Sequence, residues 1–152
     1  MSRLGLSRWL LEVHVDRRWY EMRRSPEPIP APGRPRTIAL DPADFDEGTV
    51  LLGRPGPAGT VDVDLRPDNG ISRHHATLEH EDGSWYVTDL DSHNGTWLSD
   101  DGSRLPRQKV TTRTRLVDGM NLFVGSWTRL VLRRVEGPAE EPGASNNRGR
   151  RR

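Results

Sequence analysis

The chain has no cysteine. That absence removes disulfide bridges and thiolate metal sites, and it fits a cytoplasmic protein. Long hydrophobic runs are missing as well. The apolar segment WLLEVHV (residues 9–15) is too short for a membrane span and contains charge, and nothing resembles a secretion signal. Lysine is nearly absent: of the 23 basic residues only Lys109 is one. A G+C-rich coding sequence explains that bias, and the competing explanation is that planar guanidinium groups serve oxyanion binding. The net charge of +1 gives no global field to draw nucleic acid. No amphipathic helix longer than two turns is evident.

What is present reads as β structure. The 152 residues suit one domain, but only 32% are hydrophobic, and 15 glycines and 12 prolines imply that part of the length is loop or tail. Short β-branched and aromatic segments recur: WLLEVHV (9–15), RTIAL (36–40), TVLLG (49–53), VDVDL (61–65), HATLEH (75–80), SWYVTDL (84–90), GTWLS (95–99), RLVDG (115–119), NLFVG (121–125) and TRLVLRRV (128–135). Asp82-Gly83, Asp101-Gly102 and Asp118-Gly119 are turn signals between them. Strands this short, with turns recurring at about 8–12 residues, predict an all-β sandwich or barrel. SPEPIPAPGRP (25–35) has proline at every second position up to Pro32, so it reads as a stiff extended connection inside the domain. A folded domain over 8–135 is expected, followed by a disordered tail over 136–152 that ends in RGRRR. That basic end reads as solubilising, with contact to nucleic acid or an acidic partner as the alternative.

The chemistry-bearing stretch is DNGISRHHA (68–76). A metal site is one reading, but His74 and His75 fall on opposite faces of a strand and do not easily share an ion. A hydrolase nucleophile is another, but Ser72 lacks the G-x-S-x-G elbow and a strand-turn-helix context. A third reading is a ligand grip built from several loops. Gly53-Arg54 ends one strand, Ser72-Arg73-His74-His75 begins another, and Ser92-His93-Asn94-Gly95-Thr96 links two more. Each is a strand boundary that carries a donor or a sharply turning glycine.

These three fragments, LLGR (51–54), ISRHHA (71–76) and DLDSHNGTWL (89–98), in this order and spacing, resemble the motifs of the forkhead-associated (FHA) domain. The closing LVDGMNLFVGSWTRLVL (116–132) is similar to the family's last two strands. The resemblance implies a twisted antiparallel sandwich of about eleven strands, SMAD/FHA-like. It implies recognition of phosphothreonine in partner proteins, substrates of a serine/threonine kinase, with no catalysis, cofactor or metal. A phosphothreonine brings about −1.5 to −2 charges and three acceptor oxygens. By the family pattern Arg54 is the phosphate-binding guanidinium, Ser72 a neutral donor and Arg73 a peptide-facing cation. Asn94 matches the asparagine that holds the ligand main chain. His75 matches a brace of the binding loops, and Gly53, Gly95 and Thr96 shape them.

Two positions depart from the pattern. His93 stands where relatives carry threonine or serine that donates to phosphate. A protonated imidazole there would strengthen binding as pH falls from about 7.5 to 6, until the phosphate takes its second proton. Met120-Asn121 follows Asp118-Gly119 where relatives have D-G-D, which puts the local turn geometry in question. Residues near Asn69, Gly70 and Ser99–Ser103 are where specificity is expected. The alternative function is a phosphate-independent interaction scaffold on the same fold. The partner and the oligomeric state are not written in the sequence.

Overall fold

The computed structural model describes residues 7–57 and 59–136. Eleven strands form within them: β1 (Ser7–Val15), β2 (Arg36–Ala39), β3 (Thr49–Gly53), β4 (Val63–Asp64), β5 (Ala76–Glu81), β6 (Ser84–Asp89), β7 (Thr96–Ser99), β8 (Gln108–Lys109), β9 (Thr114–Leu116), β10 (Asn121–Val124) and β11 (Thr128–Glu136). They make two sheets, one in the order β2-β1-β11-β10-β7-β8 and one in the order β4-β3-β5-β6-β9. The all-β sandwich read from the sequence is therefore the fold. Of the expected tail over 136–152, Glu136 instead ends β11, and residues 137–152 lie outside the described residues.

Alternation explains the core. In β5 and β6, Leu78, Trp85 and Val87 are fully buried while their neighbours are half-exposed. They meet Leu11, Leu122, Leu130 and Leu132 from the other sheet in one cluster. The Asp82-Gly83 turn joins β5 to β6 with both residues at positive φ (51° and 81°), the conformation a two-residue hairpin requires. Asp118-Gly119 turns as well, with Gly119 at φ 89°. The departure at 120–121 is absorbed there, because the Asn121 amide donates to the Gly119 carbonyl at 2.9 Å.

Three features correct the sequence reading. Pairing is antiparallel except between β3 and β4, where Leu52 pairs with Val63 in parallel. Asp62 clamps Leu51 through the Leu51 N–H (2.8 Å) and carbonyl (2.9 Å). Second, two-residue β8 was not anticipated; it is too short to show a period.

Third, WLLEVHVDRRWYEM (9–22) reads in the sequence as a first strand and its extension, but the strand ends at Val15. Asp16 caps a seven-residue helix, α1 (Arg17–Arg23), by accepting from the Trp19 N–H at 3.0 Å. The Asp16 carboxylate is also paired with Arg18 and Arg129, each at 2.9 Å. Burial pushes its pKa up, but the Arg18 and Trp19 bonds outweigh that and hold it below the usual value. Trp19 is fully buried, 5.4 Å from Phe123 and 6.3 Å from Trp97 between ring centres, and its indole N–H donates to the Val124 carbonyl at 3.1 Å. Helix α1 thus covers the outer face of β10, which is why Asn121–Val124 is buried on both faces and shows no alternation.

Candidate functional site

Topology brings the three motifs together. The antiparallel register Leu52–Ala76–Asp89 places the end of β3, the start of β5 and the end of β6 at one end of the five-stranded sheet. The loops that leave there hold Arg54, Ser72–His75 and His93–Thr96.

Their packing is close. A side chain at Gly53 would collide with the Arg73 carbonyl and crowd that of Ser72, so only glycine lets the two loops touch. The Arg54 N–H reaches the carbonyls of Ser72 (3.3 Å) and Arg73 (3.2 Å), and its Nε donates to the Ile71 carbonyl. Arg54 stays half-exposed, while Arg73 is exposed with its guanidinium lying over Gly56.

His75 joins the second loop to the third. It is fully buried; its Nδ1 accepts from the Ser72 N–H at 3.0 Å and its Nε2 faces the Gly95 carbonyl at 3.0 Å. Only the neutral tautomer with hydrogen on Nε2 satisfies both partners. Desolvation lowers its pKa below the ordinary value, against the pull of the Gly95 carbonyl, Asp89 and Asp68. His74 is exposed; both histidines precede β5, which starts at Ala76 and not at 75 as expected, so loop packing and not strand register separates them. The Ser72 hydroxyl accepts from the His93 N–H at 2.9 Å, which leaves its own hydrogen to donate outward. The imidazole of His75 thus meets the backbone of Ser72, not its hydroxyl, and no base is placed on that oxygen.

The third loop is fixed by Asp89. Its carboxylate accepts from the Ser92 hydroxyl (2.5 Å), the Ser92 N–H (3.1 Å) and the buried Thr96 hydroxyl (2.7 Å). Burial raises its pKa, but these bonds overcome that and leave it below the usual carboxylate range. Gly95 sits at φ 84°, and a side chain there would also press on Lys109 and Trp97.

Asn94 has partners within the chain. Its amide donates to the Gly70 carbonyl at 2.9 Å, and its oxygen accepts from Arg23 of α1 at 3.3 Å. Both ends of the carboxamide are thus held inside the chain. The His93 side chain is exposed at the rim of a cleft of ≈ 240 Å³ whose lining includes Arg23, Arg24, Glu27, Asn69 and Asn94. Ser99–Ser103 do not line this cleft; Arg18 ties their turn to α1 through the Gly102 (2.5 Å) and Ser103 (3.1 Å) carbonyls.

Two contributors were missed by sequence reasoning. Arg23 is one: α1 is too short to declare itself by periodicity. Asp68 is the other. Fully buried, it accepts from the N–H groups of Gly70 (2.9 Å), Ser126 (2.9 Å) and Trp127 (3.0 Å) and from the Thr128 hydroxyl (2.7 Å). It pins the loop before Ser72 to the β10–β11 turn. No group of three or more metal-ligating side chains occurs among the described residues, and no described helix is long and apolar enough to cross a membrane.

Known proteins share this fold. FhaB of Mycobacterium tuberculosis (strain H37Rv), an FHA domain-containing protein, is 36% identical over 89 residues, 59% of this chain and 50% of FhaB, so the chain spans about half the length of that relative. The FHA domain of an Arabidopsis thaliana protein superposes with a TM-score of 0.59 at 23% identity, covering 88% of this chain and 91% of that one. An FHA domain studied for phosphothreonine-dependent interactions superposes at 0.52 with 22% identity, over 83% of this chain and 95% of that one. The FHA domain model itself matches residues 50–125, half of the chain. With the three loop motifs at one end of such a sandwich, the chain belongs to the FHA domain family.

Proposed function

We propose that this protein is a phosphothreonine-binding adaptor without catalytic activity, acting on partners phosphorylated by a serine/threonine kinase in the cytoplasm, with residues 8–135 as the binding module. The observation that carries this reading is the Ser72 hydroxyl: braced by the His93 N–H, unattended by a base, and beside the half-exposed Arg54. A hydroxyl so placed donates a hydrogen bond to an oxyanion and has no means of becoming a nucleophile. Arg54 supplies charge-assisted bonds to the same phosphate, and Arg73 lies at the edge as a second cation. His93 adds its side chain at the rim. Asn94 meets the peptide main chain by exchanging its internal partners for the ligand's. The phosphothreonine-dependent interactions of the structural relative point the same way.

The test is a titration of phosphothreonine peptides against their unphosphorylated twins and phosphoserine versions, with wild type and Arg54→Ala in parallel. Phosphothreonine-only binding that Arg54→Ala removes is expected. Equal binding to all versions would establish a phosphate-independent scaffold instead, and turnover of the phosphoester would establish an enzyme.

A further inference from the structure

We propose that Arg23, carried to the site by the β1–β2 insert, selects phosphopeptides that bear a carboxylate beside the phosphothreonine. This rests on the phosphothreonine reading and adds a specificity-determining residue to it. Residues 16–35 lie outside the segment that matches the family model, yet Arg23–Glu27 within them wall one side of the cleft next to Asn94.

The wall is built to hold a cation in place. Arg23 sits 5.1 Å above the ring of Trp19, and that ring is fixed by Phe123 and the Val124 carbonyl. Its bond to Asn94 uses one of five N–H donors, and the side chain is only half-buried. Arg24, at the αL cap of the helix, adds a second, exposed cation. The opposing charge in the cleft is Glu27, whose carboxylate accepts from the Asn69 amide at 3.2 Å. Two arginines against one occupied glutamate leave the cleft net positive even with His93 neutral.

The cleft also adjoins the phosphate position. Ser72 touches His93, and His93 and Asn94 both line the cleft. An extended peptide advances about 3.3 Å per residue. A chain with its phosphate on Ser72 and Arg54 therefore carries a near neighbour past Arg23 within a few residues. A carboxylate there gains a forked guanidinium partner, whereas a lysine or arginine meets like charge.

The test uses phosphothreonine peptides in an alanine background, with a single aspartate moved one position at a time to either side. Each is titrated by fluorescence anisotropy against the full chain and its Arg23→Gln and Arg23→Lys variants. One aspartate placement is expected to raise wild-type affinity about fivefold, an effect that shrinks in high salt. Arg23→Gln should still bind the all-alanine phosphopeptide and lose the preference, and Arg23→Lys should keep part of it. The inference is overturned if no placement improves binding, if Arg23→Gln keeps the preference, or if it weakens every peptide equally, since that last result would make Arg23 only a support for Asn94. A wild type that binds phosphorylated and unphosphorylated peptides alike would overturn the phosphothreonine reading as well. The other failures leave that reading standing.

Discussion

The two walls of the proposed binding face are held by different physics. The proposed phosphate wall, at Gly53–Arg54, Ser72–His75 and His93–Thr96, is fixed by hydrogen bonds from side chains to loop backbone and hydroxyls, with His75 and Asp89 as the hubs. The insert wall, at Asp16–Glu27 and the β10–β11 turn, is fixed by a capped helix, a buried indole and tilted ring contacts such as Tyr20 against Trp127 at 6.5 Å. The first wall specifies atoms; the second specifies a surface. Loss of one hydrogen-bond hub should damage geometry out of proportion to volume, whereas loss of one ring should damage stability in proportion to the cavity it leaves.

The largest effect should come from removing the ring. Trp19→Ala is expected to cost about 3–5 kcal/mol of unfolding free energy, read by urea denaturation. A loss below about 1 kcal/mol would mean that α1 is not packed as described. Next is Asp68→Ala, which leaves the buried N–H groups of Ser126 and Trp127 without their acceptor. A loss of about 2–4 kcal/mol is expected, and a neutral result would separate the two walls that Asp68 joins.

Arg54→Ala should leave unfolding nearly unchanged while weakening phosphopeptide binding by about 1.5–3 kcal/mol, roughly ten- to a hundredfold by calorimetry. Equal losses in stability and binding would show that Arg54 is a structural member of its wall.

The smallest effects are titrations. The folded-state pKa of His75 lies below its unfolded value of 6.5. As pH falls past that value the unfolded chain takes the proton first. The stability contributed by neutral His75 is therefore complete above about pH 6.5 and declines below it. Denaturation midpoints for wild type and His75→Gln over that range should diverge at high pH and converge at low pH. At the exposed His93, titration of phosphopeptide against His93→Ala should show binding about two- to threefold weaker than wild type. Unchanged binding would remove His93 from the proposed phosphate wall.

The three loop motifs were legible because their parts are local. Gly53-Arg54, Ser72–His75 and Asn94-Gly95-Thr96 each sit at a strand end that alternation and turn residues reveal. Antiparallel pairing then has to bring those ends together. The tautomer of His75 was not legible, because it depends on the Gly95 carbonyl 20 residues away. Nor was the engagement of Asn94, since Arg23 stands 71 residues before it. Asp68 lay in plain view beside Asn69-Gly70 and read as a turn residue. Its partners, 58–60 residues later, make it a buried anchor instead.

By itself the sequence determined an all-β sandwich or barrel of about ten short strands and the order of its three loop motifs, because side-chain period and turn chemistry act over a few residues. Only the tertiary structure decided that a seven-residue helix would close over β10 and that its arginine would meet Asn94. A helix that short is not stable alone, and its amphipathic face exists only once Phe123 and Trp97 are there to cover it.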